Sequence, residues 1–93
     1  MSKAASRMTA EHAEALAFDC FAFLATRPEV FERFAELSGL DPATVRQRAG
    51  ERDFLSSVLD FMLTNEGLLV DFCESGSVDA RDLHSARHML GGR

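Results

Sequence analysis

The feature that most constrains this chain is that its second half matches its first at a shift of 38 positions. Phe23/Phe61, Thr26/Thr64, Phe34/Phe72, Glu36/Glu74 and Asp41/Asp79 are identical under that shift. Apolar residues meet apolar residues at Leu16/Phe54, Cys20/Val58, Phe21/Leu59, Val30/Leu68, Phe31/Leu69, Leu40/Val78 and Val45/Leu83. A pattern used twice implies one supersecondary unit repeated, each copy covering the apolar face of the other. The apolar positions step by three and four, which is helical spacing. The expected fold is therefore all-α, a compact bundle of about six short helices arranged as two diverged three-helix units. They form a single helical domain over 1–93, with units at roughly 10–49 and 52–90 and frayed ends at 1–8 and 91–93.

Local signals place the helices. Thr9 offers an N-cap hydroxyl to a helix running to about Ala25, and its interior from Leu16 to Ala25 is apolar almost all the way round apart from Asp19, so it needs cover on several sides. Pro28 suits the first turn of a second helix because its missing N–H is not needed there. Val30, Phe31, Phe34 and Leu37 give that helix one apolar face, and Gly39 ends it in a left-handed cap. Asp41 then Pro42 start a short third helix through Arg48 or Ala49, stopped by Gly50. The second unit repeats the order, with a broad apolar helix from Arg52 to Thr64, a shorter one capped by Asn65 and closed near Gly76, and a last one capped by Ser77 or Asp79. The two broadest apolar helices, 10–25 and 52–64, belong at the centre. Gly67 stands where the first unit has Glu29 and implies close packing or a late helix start.

Charge and cysteine usage narrow the function classes. Residues 53–93 hold seven carboxylates against three arginines, within a net charge of −5, which disfavours nucleic acid or an anionic membrane as a partner for the whole surface. The eight Phe, with no Tyr and no Trp, are core material lacking the polar handle favoured at wet interfaces. Acidic residues interrupt any signal-peptide core near Met1 and no apolar run is long enough to span a membrane, so the expected location is cytoplasmic, with the chain mature as written. Cys20 and Cys73 lack Cys-x-x-Cys spacing and read as buried hydrophobes with suppressed reactivity. His84 and His88 have the i, i+4 spacing of a helical metal pair without a carboxylate or thiolate tied to them, and His12 is in a first helical turn. No metal, cofactor or catalytic residue is expected. The acidic residues of the second unit, among them Asp53, Asp60, Glu74 and Asp82, read as solvated faces or as a docking surface for a basic partner.

The segment Phe31 to Arg48 resembles the helix-turn-helix of repressor-type bacterial regulators. Phe34 and Ala35 match the packed face of the first helix, Gly39 the turn, Leu40 the buried residue after it, and Pro42 to Val45 the start of a recognition helix. That resemblance implies that Thr44, Arg46, Gln47 and Arg48 would face a duplex. The sequence departs from the motif at Asp41, a carboxylate where phosphate would sit, and at Arg48, where an aliphatic side chain is usual. Over most of its length the order of elements resembles a small family of uncharacterised all-helical bacterial proteins, chiefly α-proteobacterial. Ala22 to Ala25, Leu37 to Pro42 and Phe54 to Phe61 carry the resemblance. It implies the fold and lends no catalytic site. The function expected is binding without catalysis, to an unknown protein partner or to a second copy as a homodimer, with DNA binding through residues 42–48 as the alternative.

Overall fold

A computed structural model of the protein describes residues 8–48 and 50–91, excepting the side chains of Pro42 and Arg46. Six helices follow in chain order among the described residues: α1 Ala10–Ala25, α2 Pro28–Ser38, α3 Pro42–Gln47, α4 Arg52–Thr64, α5 Glu66–Gly76 and α6 Ala80–Gly91. The all-α reading holds. Thr9 caps α1, its hydroxyl accepting from the His12 N–H at 3.0 Å. Gly39 ends α2 at φ 73°. Asp41 caps α3 by accepting from the Thr44 N–H at 2.9 Å, and Asp79 does the same for α6 with the Arg81 N–H at 2.9 Å.

The same backbone bonds recur 38 residues on. The Leu40 N–H reaches the Ala35 carbonyl at 3.0 Å, and the Val78 N–H reaches that of Cys73 at 2.9 Å. The hydroxyls of Thr26 and Thr64 donate to the carbonyls of Phe23 and Phe61. Contacts between the halves exchange as an approximate two-fold axis requires. Phe34 meets Phe61 with ring centroids 5.3 Å apart, and the exchanged pair Phe72 and Phe23 meet at 5.4 Å. Arg33 donates to Asn65, and the exchanged pair is Asp71 with Arg27. Glu14 binds Arg52, its own counterpart, at 2.8 Å. Exposed pairs like these contribute at most about 1 kcal/mol each and serve mainly to register the halves.

The core is apolar throughout, with no buried polar or charged side chain among the described residues. Rings of α1, α2 and α4 interlock edge to face, Phe31 on Phe21, Phe21 on Phe54, Phe54 on Phe34 and Phe34 on Phe61. Each such buried side chain contributes roughly 1.5–3 kcal/mol. The centre holds three helices where the sequence suggested two. α6 lies along both α1 and α4, and among the described residues its contact with α1 is the most extensive between any two helices. Ala13 and Ala17 of α1 and Ala86 of α6 are fully buried, and such small side chains let backbones approach closely.

Several local expectations are corrected. Asn65 does not cap α5 with its side chain; its amide instead donates to the Phe61 carbonyl at 2.7 Å and closes α4. α5 does close at Gly76 as expected, with Ser77 taking the left-handed turn at φ 54°. α3 stops at Gln47, because Arg48 enters the turn leading to α4, and Ala49 lies outside the described residues. Met8, expected in a frayed tail, is half-buried against the core, and Gly91 completes α6. Residues 1–7 and 92–93, also expected to fray, lie outside the described residues. α1 keeps one face uncovered, with Ala15, Phe18, Ala22 and Ala25 exposed. Leu37, assigned to the apolar face of α2, is 73 % exposed. Gly67 is exposed near the start of α5, and a Cβ there meets nothing within 4 Å, so close packing does not explain it.

Equivalent turns should therefore respond with opposite sign. Ser77→Gly relieves a left-handed non-glycine residue and should raise stability by about 1 kcal/mol, whereas Gly39→Ala should lower it by about as much. Gly67→Ala should raise it by about 0.5 kcal/mol. Urea unfolding followed by circular dichroism reads all three.

Candidate functional site

The helix-turn-helix segment folds as two helices joined at Gly39, with Phe34, Ala35 and Val45 buried and Leu40 half-buried. α3 has only six residues, less than two turns. Thr44 is half-buried and its N–H is committed to the Asp41 cap. Gln47 is exposed at the last helical position. Arg48 lies beyond the helix, its Nε donating to Glu51 at 2.9 Å. The side chain of Arg46 lies outside the described residues. Glu32, Glu36 and Asp41 line one hollow along α2 and the turn before α3.

The other sequence candidates are dispersed. Cys20 is fully buried on α1, and burial pushes its thiol up to about 12. Cys73 on α5 is half-buried, not buried as its pattern suggested; partial burial, then the nearby Asp79 and Asp82 carboxylates, raise its thiol as well. His84 and His88 are exposed on α6 beside Met8 and Met89, and His12 is exposed on α1. Among the described residues no three His, Cys, Asp or Glu side chains gather as a metal-binding group, and no helix is long and apolar enough to cross a membrane.

Two surfaces are not located by the sequence pattern, although the apolar breadth of α1 implies surface left over once the core is filled. One is the uncovered stripe of α1, where Phe18 is 49 % exposed and its ring leans on Phe21 at 6.0 Å. The second is a groove of about 390 Å³ between α2 and α4. Its floor is Phe34, Phe54 and Phe61, and its rim carries Leu37, Asp53 and Asp60. Val70 on α5, 46 % exposed, is the third large apolar side chain left in solvent. The repeat held a usable signal for all three. Phe18 stands opposite Ser56, Leu37 opposite Ser75 and Val70 opposite Glu32, and a polar residue in one copy marks a position that neither copy needs for its core.

A family model described as protein of unknown function (DUF3572) matches residues 10–93. The chain belongs to that family. No curated protein and no solved structure matches it. The DUF3572 match spans all six helices and both surfaces just described.

Two measurements follow from these side chains. Thiol labelling of the native protein should modify Cys73 first and Cys20 only on the timescale of unfolding, with both reacting rapidly in denaturant. The Asp41 carboxyl is held below its ordinary range by the Thr44 N–H, and that of Asp79 by the Arg81 guanidinium and N–H. Depressed folded-state values stabilise the protein above the unfolded carboxylate range, and that contribution is lost as pH falls through the folded values. Acid unfolding should therefore be shallower in Asp41→Asn, which keeps a capping oxygen but does not titrate. A pH series of thermal midpoints checks it.

Proposed function

We propose that this domain acts by binding protein, without catalysis of its own, and that the uncovered face of α1 is a self-association surface. The observation that carries this is the exposed stripe Ala15, Phe18, Ala22 and Ala25. Its steps of three and four residues are those of a helix–helix seam. The alanines beside Phe18 leave room for a second helix to lie close, and a two-fold dimer is the commonest way to bury such a face. The absence of any buried polar side chain among the described residues fits a body whose chemistry is packing. Both cysteines are free thiols, which suits a reducing bacterial cytoplasm.

Sedimentation equilibrium at micromolar concentration tests this. The native chain should sediment as a species of twice 10.3 kDa, and Phe18→Glu should return it to monomer with little change in thermal midpoint, because the ring is half in solvent. A native monomer across that range would reject self-association and leave binding to a different protein as the role of the domain.

A further inference from the structure

In the sequence pattern His84 and His88 have no third donor, because neither a carboxylate nor a thiolate is tied to the pair. The fold supplies donors of another kind. A hollow of about 400 Å³ is lined by Met8, His84, Ser85, His88 and Met89. The two histidines stand about one turn apart on α6 and are both exposed, a spacing that lets two imidazoles serve one metal ion. Met8 reaches them from the opposite end of the sequence, ahead of the Thr9 cap of α1. It is half-buried against the core, as is Met89, so packing holds both thioether side chains beside the imidazoles.

We propose that this hollow is a binding site for copper in its monovalent form, Cu(I), held by the imidazoles of His84 and His88 and the thioether of Met8, with Met89 as a further sulfur donor. The donor chemistry selects the ion. The only side-chain oxygen in the lining is the Ser85 hydroxyl, so calcium and magnesium would lack their ligands. Zinc takes imidazole but pairs it with thiolate or carboxylate, and neither Cys20 nor Cys73 lines this hollow. Thioether sulfur is a soft, neutral donor that favours Cu(I), and imidazole is a copper ligand as well. A single charge also costs less to take from water into a set of neutral donors than a double one. The site stands apart from the protein-binding reading, because none of its residues belongs to the exposed stripe of α1.

Anaerobic titration of the full chain with Cu(I), using bicinchoninate as a competing chromophore, reads both occupancy and affinity. One ion per chain is expected. His84→Ala and His88→Ala should each weaken binding by about tenfold or more, since even groups that only support a ligand act on that scale. Met8→Leu keeps an apolar side chain of similar volume against the core. It should weaken Cu(I) by a similar factor and leave Ni(II), a probe of the imidazole pair alone, unchanged. Unchanged thermal midpoints confirm that the variants are folded. A chain that cannot compete with bicinchoninate overturns the proposal, and so does Cu(I) binding indifferent to both histidine variants. Binding that survives those variants but is lost with Cys73→Ala puts the ion on a thiol and overturns it equally. A Met8→Leu chain that holds Cu(I) as tightly as the native one reduces the site to a bare histidine pair and rejects the thioether as its ligand.

Discussion

The edge-to-face contact of Phe34 with Phe54 and Phe61 ties together the architecture of this protein. It joins α2 of the first half to α4 of the second, and through Phe54 it reaches Phe21 and Phe31, so three helices share one run of rings. Phenylalanine has no group that must find a hydrogen-bond partner, and the interior closes with no buried polar side chain among the described residues. Geometry does the specifying instead. A ring edge fits a neighbouring ring face at only a few angles, and that fixes how α2 sits on α4. With α1 and α4 held in this way, the trough between them is left to α6, whose buried side chains are aliphatic.

The two-fold relation explains most of the surface as well. Phe34 with Phe61 and Phe72 with Phe23 are the same contact made twice, and Glu14 with Arg52 is one contact made across the axis. Departures from symmetry are where the molecule exposes apolar surface. α3 ends at Gln47, ahead of the turn to α4, whereas α6 extends to Gly91. Phe18 and Leu37 face solvent where the other copy carries serine. A fold that meets its packing needs with one set of residues is free to vary the rest, and such variation is how a binding face can arise without loss of core stability.

Membership of the DUF3572 family places the chain without attaching a reaction to it. The arrangement of its side chains is that of a packed body with two apolar surfaces of different character. One is a straight helical stripe of small residues around a single ring. The other is a concave groove whose rim carries Leu37, Arg48, Asp53 and Asp60. The segment that resembles a helix-turn-helix is two helices joined at a left-handed glycine. The second half builds the same join around Ser77.

The sequence by itself determined the class and the six helices with nearly all their ends. These depend on local chemistry: a cap needs its Asp or Thr at one position, a left-handed turn favours glycine, and helical apolar spacing is visible in one strand of text. Asn65 closes α4 instead of capping α5, because adjacent helices compete for the same junction residue and the carbonyl that Asn65 reaches belongs to the helix before it. What only the tertiary structure decided is which apolar side chains are surplus. Leu37 and Phe34 share one apolar face in the sequence pattern, yet Phe34 is buried and Leu37 stands in solvent, because how far a neighbouring helix extends over a face depends on chain length and turns elsewhere. The central place of α6 was decided in the same way. Its stripe of Leu83, Ala86 and Leu90 is narrower than that of α4, but fully buried alanines on α1 and α6 allow a close approach that no reading of amphipathic breadth conveys.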